Sequence, residues 1–441
     1  MSLSSLPIRA CILLLAMLAG ACGKAEAPPP PAVSLTDGSG LTPNDDIDGL
    51  DAATDARGDV HVVWRERSNV YGGASIHARL VYRHGSGTPL HWGPRVVVAE
   101  GGLAIGSAKV IVAADLVHVF AGARMHHWWW PVARGPLNNQ EDMLGQQDPA
   151  VGVFDAIETA NGIMLAYLAT DASDDQTVRG LRWSHTGPSR VFDIANIPRA
   201  RSAGRVAPQL HQFGRRLMLA WTENSLQEHW DKRINTTAIS ATTTIHSTWS
   251  SDAGATWTGV RDVITGQPAT IAALALAGKA EMPVALFATS CLFESRLGAN
   301  GWTSPLRIAG DGSNSLSGSG ETSAVAAIPC NDHSVVAWVD ARNRLSDRRW
   351  WNPLGGFPWG DNPDWYNNDL FIAKNAPQSS GSGPMLVSLR LTSPGSFTRE
   401  IVVVEHDGQL LVFRTGRARV HKAPDDAGAA PEVTQLGVPC H

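Results

Sequence analysis

The chain has 441 residues, 36 Lys and Arg against 41 Asp and Glu, and a formal net charge of −5. Its acids and bases are interspersed, so no basic stripe offers a nucleic-acid footprint. That length is ample for a large core, and implies two or more domains unless one repeated architecture fills it.

Residues 1–21 read as an export signal. Arg9 precedes the apolar run Cys11–Leu18, and the small residues Ala19-Gly20-Ala21 come next. The run is too short to span a bilayer, and no later segment is long and apolar enough to do so. Cys22 stands directly after the small residues, a pattern that resembles the bacterial lipobox, although Ala19 stands where that pattern prefers leucine. The resemblance implies that Cys22 is lipidated and becomes the mature N-terminus, and Gly23 beside it fits the outer-membrane class of lipoproteins. An ordinary signal peptide cleaved nearby is the alternative. Residues 22–45 contain GKAEAPPPPAVSLTDGSG, a proline-rich stretch that reads as an extended tether.

From residue 46 onward one pattern recurs: a mostly aliphatic strand closing on an aromatic. The copies are VHVVW to Trp64, LVHVF to Phe120, IMLAY to Tyr167, LMLAW to Trp221, PVALF to Phe287, SVVAW to Trp338 and QLLVF to Phe413. Neighbouring aromatics lie between 47 residues apart (Phe120 to Tyr167) and 75 apart (Trp338 to Phe413). A four-stranded propeller blade takes about 40–50 residues, so longer intervals carry loops. Most copies come after another apolar strand and a short polar turn, such as DARGD before Val60 or EHDG before Gln409. Each unit therefore opens with an antiparallel hairpin, strands a and b. Strands apolar on both faces need cover on both sides, which sheets stacked around an axis provide. The expected fold is all-β, one propeller of about seven four-stranded blades over residues 46–441. A six-bladed ring with one unit misread, chiefly the irregular second, is the alternative.

The second unit carries His126-His127-Trp128-Trp129-Trp130. Adjacent histidines on a strand point to opposite faces and make poor joint metal ligands; packing explains the run, and no metal or other cofactor is expected. In the fourth unit, residues 250–257 read SSDAGATW. Asp252 can close a tight turn on backbone N–H groups, Gly254 permits a positive φ, and Thr256 suits an extended backbone. Trp257 is expected to start the next strand as an apolar anchor. Ser250, Asp252, Gly254, Thr256 and Trp257 match S-x-D-x-G-x-T-W, and the stretch resembles the Asp box of sialidase-like (BNR-repeat) β-propellers. That resemblance implies a structural turn between the third and fourth strands (c and d), on the face away from the active site. HGSGTPLHWG, ending at Gly93, and GANGW at Gly298–Trp302 are weaker versions of such turns.

The functional face is then the one bearing the b–c and d–a loops. It collects the residues next after each repeat aromatic: Arg65, Glu66 and Arg67; Thr222, Glu223 and Asn224; Asp340, Arg342 and Asn343; and Arg414. Guanidinium forks suit carboxylates, and paired acids can hydrolyse glycosides. Glu66, Glu223 and Asp340 are the weak catalytic candidates; salt bridges between blades are the competing explanation. The sixth unit adds DRRWWNPLGGFPWGDNPDWYNND, whose aromatics can stack on sugar rings or pack on themselves. The expected ligand-binding set is Trp351, Trp359, Trp365 and Tyr366 with Arg65 and Arg342.

Sialidase catalysis, as the resemblance implies it, needs an arginine triad, an acid/base aspartate, a glutamate-activated tyrosine and an Arg-Ile/Val-Pro motif. The chain lacks that tripeptide, and Arg205-Val206-Ala207-Pro208 is only an echo. Its tyrosines are Tyr71, Tyr82, Tyr167 and Tyr366. The expected function is recognition of a glycan or another envelope ligand, or of an envelope protein. A glycoside hydrolase and a protein-interaction scaffold are the alternatives. Three cysteines lie beyond Cys22, namely Cys291, Cys330 and Cys440; one pair and one thiol are expected.

Overall fold

The computed structural model describes residues 31–440 except 44, 69–76, 102–106, 123, 137–138, 145–152, 171–175, 185–186, 198–200, 204–205, 232–235, 268–270, 290, 310–323, 331–332, 341–368, 376–388, 393–396 and 418–429. Seven antiparallel sheets form seven blades. Their inner strands are Asp46–Thr54, Ala108–Ala113, Phe154–Thr159, Gln209–Phe213, Ala273–Lys279, Val325–Cys330 and Phe397–His406, which define blades 1 to 7. Each inner strand packs against the next, and the seventh packs against the first. The ring closes at seven, and the six-bladed alternative falls.

The recurring aromatics explain the ring. Each of the seven core clusters draws on two adjacent blades, so the hydrophobic core is a set of interblade layers. Trp64, Phe120, Tyr167, Trp221, Phe287, Trp338 and Phe413 are all buried in those layers. Each is a large apolar side chain removed from water, and so supports the ring by several kcal/mol. The second unit, irregular in sequence, is a regular four-stranded blade from Ala108 to Asp142. Its paired histidines part as strand geometry requires. His126 bonds Asp142, while His127 bonds Glu141 at 2.8 Å and the buried His118 at 3.0 Å.

The tether boundary needs correction. Ala32–Ser34, placed in the tether on composition, is the outer strand of blade 7, paired with Pro431–Pro439. Leu35 behind it is fully buried in the layer between blades 7 and 1. A single buried leucine and three ladder residues outweigh the surrounding prolines. The N-terminal strand thus completes the last blade and closes the ring noncovalently. A disulfide between Cys330 of blade 6 and Cys440 ties the end of the third strand of blade 7 to its neighbouring blade, and Cys291 is a buried free thiol.

Trp257 is likewise displaced from its expected place. The fourth strand of blade 4 begins at Arg261, so the indole belongs to the turn and packs on the layer between blades 3 and 4. Gly254 has φ +85°, and a Cβ there would sit 3.0 Å from the Met164 sulfur. In the same blade, Arg216–Asp231 and Thr236–Ser250 pair along their whole length. Only the lower part of this ladder is flanked by the blade's first and fourth strands, so the hairpin projects on the b–c side.

Candidate functional site

The b–c and d–a connections define one end of the channel, here called the rim. On the rim side, the inner strand of blade 1 reads Asp46-Ile47-Asp48-Gly49-Leu50-Asp51. Its register with the second strand, Val60–Ser68, slips between Asp48 and Asp51. Gly49 takes φ +62° in this bulge, where a Cβ would lie 3.2 Å from the Ala108 nitrogen. A bulge strands backbone donors that the ladder would otherwise satisfy. Glu400 of blade 7 supplies the acceptors, taking the Gly49 N–H at 3.2 Å and the Leu50 N–H at 3.1 Å. Burial raises the Glu400 pKa, the Asp48 charge raises it further, and the two amide bonds oppose the rise.

Above the bulge lies an alternating chain of guanidinium and carboxylate groups. Asp48 and Arg65 are register partners, as are Asp46 and Arg67. Arg65 Nε donates to Asp48 Oδ1 at 2.6 Å, and Arg67 Nη2 reaches Asp48 Oδ2 at 2.9 Å. The same Arg67 nitrogen lies 2.5 Å from Asp46 Oδ2, and Arg399 Nη1 of blade 7 closes on that oxygen at 2.6 Å. The order is Arg65, Asp48, Arg67, Asp46, Arg399, and the Glu400 carboxylate below it also acts on Arg399. Arg65 is buried, whereas the Arg399 side chain is 42% exposed. Arg65, expected as a ligand arm, is therefore committed to Asp48, and the accessible guanidinium is Arg399.

Deeper in the ring, Lys109 Nζ of blade 2 lies 2.9 Å from Asp155 Oδ1 of blade 3 and 3.5 Å from Asp51 Oδ1 of blade 1. Burial works against the ammonium, but the two carboxylates outweigh it and hold the lysine pKa above its ordinary value. The same carboxylates stitch blades together. Asp51 accepts the Val110 N–H at 2.9 Å, and Asp155 accepts the Leu210 N–H at 2.8 Å. Charge is thus concentrated on the arc of blades 7, 1, 2 and 3. The inner strands of blades 5 and 6, ALALAGK and VAAIPC, are nearly uncharged.

The candidate acids differ in their surroundings. Glu66 is fully buried; it accepts the Trp64 indole N–H at 3.0 Å, pairs with Arg95, and lies 3.3 Å from Arg79. Such a carboxylate is a packing element rather than a hydrolytic group in reach of a ligand. Glu223 is buried beside His246, whose Nε2 is 3.4 Å away and whose Nδ1 meets Asp262 at 2.8 Å. Asp340 ends its strand opposite Asp369. Arg342, Trp351, Trp359, Trp365, Tyr366 and Cys22 lie outside the described residues. Tyr82 bonds the buried His61 at 2.7 Å and Tyr167 is fully buried, so neither is placed as a nucleophile. Among the described residues no group of three or more His, Cys, Asp or Glu could hold a metal ion.

Sequence reasoning missed Asp46, Asp48, Lys109, Asp155, Arg399 and Glu400. The available signal was the run of three acids at close spacing in Asp46–Asp51, which lay at the supposed end of the tether.

No protein-family model matches the sequence, and no curated protein matches it. Among solved structures the chain is similar to the crystal structure of polysaccharide lyase Uly1. The TM-score is 0.52 at 9% identity, over 95% of this chain and 91% of that one. A leech intramolecular trans-sialidase complexed with 2,7-anhydro-Neu5Ac gives 0.43 at 11% identity, over 99% of this chain and 72% of that one. The Hadza microbial sialidase Hz136 gives 0.39 at 11% identity, over 89% and 66%. At 9% identity the likeness to Uly1 is one of fold.

Proposed function

We propose that the protein is an envelope propeller, lipid-anchored through Cys22, that binds an acidic glycan at its rim without sialidase-type hydrolysis. The observation that carries the reading is the rim chain ending in Arg399. Arg399 is bonded to Asp46 through Nη1 and its side chain is 42% exposed, so its fork can be reached from solvent. A uronate or sialate carboxylate would accept from the exposed side of the Arg399 fork. The glycan emphasis has a second support in the fold, which the polysaccharide lyase Uly1 shares.

Hydrolysis has weaker support. Glu66 is sealed from solvent and tied to Trp64 and Arg95, and the described tyrosines, Tyr82 and Tyr167, are core residues. Trp351, Trp359, Trp365 and Tyr366, which come after the second strand of blade 6 in sequence, remain part of the proposed ligand-binding set.

The test is a panel of sialyllactose, polygalacturonate and neutral dextran, read for both retention and released product. Retention of the acidic glycans alone, with no product, is the expected result. Product release would make the protein an enzyme, and failure to retain any glycan would favour a protein-interaction scaffold.

A further inference from the structure

The opposite face, built of a–b and c–d turns, carries two cavities, one on each side of the Ser250–Trp257 turn. One, of about 280 Å³, lies between the outer strands of blade 3 and that turn, with Arg182, Arg190, Phe192 and Trp257 in its wall. The other, of about 380 Å³, is lined by Arg215 and Arg216 of blade 4, with Asn161, Gln212 and Asp252 around them.

Arg182 and Arg190 are register partners across adjacent strands. Like charges directly opposite each other repel, and a carboxylate between them is the ordinary remedy. None is supplied. Asp193, the acid in that wall, is committed to Arg179 Nε at 2.8 Å. In the second cavity Asp252 is equally engaged. Its carboxylate accepts the Thr256 N–H at 2.8 Å, the Thr256 hydroxyl at 2.6 Å and the Ser250 hydroxyl at 2.7 Å. Arg182, Arg190, Arg215 and Arg216 have no hydrogen-bond or ion-pair partner among the described residues. The Trp257 indole N–H is buried and also lacks an acceptor among them. Two cation pairs and an aromatic wall thus surround one rigid turn.

We infer that this face binds a polyanionic polysaccharide, one carboxylate or sulfate ester held between Arg182 and Arg190 beside Trp257, another at Arg215 and Arg216. Guanidinium forks match both oxyanions. Aromatic walls with a few placed polar groups are the common make-up of a ligand groove. Concave grooves on both sides of a turn suit a chain that passes around it better than a flat layer of lipid headgroups. The site is separate from the rim and does not depend on the rim's function.

The decisive measurement is equilibrium binding of polygalacturonate, heparin, dextran and phosphatidylglycerol vesicles to the purified full-length protein. It is made in an Arg399→Ala background, so that polymer held at the rim does not contribute. Arg182→Gln with Arg190→Gln, and separately Arg215→Gln with Arg216→Gln, should each weaken binding of at least one acidic polymer about tenfold or more. The salt dependence should become shallower, and the melting temperature of the first pair should stay level or rise as repulsion is relieved. Polygalacturonate against heparin separates carboxylate from sulfate ester. Unchanged affinity in both double variants overturns the inference, as does binding to vesicles but to neither acidic polymer. Should a double variant fail to fold, tryptic cleavage after Arg190 and Arg215 in the Arg399→Ala protein decides. The acidic polymer, and not dextran, should protect both bonds; equal cleavage with and without it overturns the inference.

Discussion

Asp252 shows how one carboxylate holds a turn. Its hydrogen bonds to Thr256, then to the Thr256 amide and Ser250, lower its pKa to about 2. A folded-state pKa below the ordinary value near 4 contributes stability that is fully present above that value. The contribution is lost as pH falls through the window from about 4 to about 2. Asp252→Asn should therefore melt lower than wild type at neutral pH, and the gap should narrow between pH 4 and pH 2. A gap independent of pH in thermal melts would remove the carboxylate from the turn's energetics. Glu66 is a residue whose type suggested chemistry and whose surroundings deny it. Removing one partner from a buried charge cluster strands the others, at about 3–5 kcal/mol. Glu66→Ala should lose stability on that scale in denaturant titrations. A variant of wild-type stability that no longer functions would restore Glu66 as a catalytic group.

At the level of the element, each second strand could be read from sequence because it is buried on both faces and closes on an aromatic such as Trp64 or Phe413. Ala32–Ser34 could not. Three residues give too short a pattern, and they sit after four prolines. The inner strands hid the site for a related reason. Asp46, Asp48 and Glu400 look like surface acids, and only the return of blade 7 to blade 1 brings Glu400 onto the Gly49 and Leu50 amides. Nothing local in sequence announces a contact between residues 350 apart. The pairing of Cys330 with Cys440 was equally hidden, since three cysteines allow three choices. Closing a loop of 110 residues constrains the unfolded chain by about 4–5 kcal/mol in the chain-entropy description. Reduction should lower the melting temperature by several degrees, and Cys330→Ser should melt at the reduced value with or without reductant. Equal melting of oxidised and reduced wild type would show that the bond between Cys330 and Cys440 contributes nothing to stability.

For the whole molecule, the direction of the closing strand matters. Ala32 pairs with Leu436 and Ser34 with Thr434, so the chain rises from the turn face toward the rim. Ala32 therefore stands at the end of that strand nearer the Ser250–Trp257 face. Residues 23–31 span at most about 30 Å when extended, so lipidation at Cys22 would hold that face near the membrane and direct the rim outward. A fluorophore at Ala160→Cys, on the turn face, should transfer energy to a membrane dye more efficiently than one at Asn196→Cys near the rim. The reverse order would contradict the tether. The proposed recognition of an acidic glycan rests on the accessible Arg399 guanidinium at the rim. The most direct test is the affinity of the wild-type protein and of Arg399→Ala for sialyllactose and for oligogalacturonate, each measured at low salt and at physiological salt. Loss of about tenfold or more in Arg399→Ala for an acidic glycan, with an unchanged melting temperature and a weaker salt dependence, is the expected result. Equal affinity of the two proteins for both glycans would contradict it.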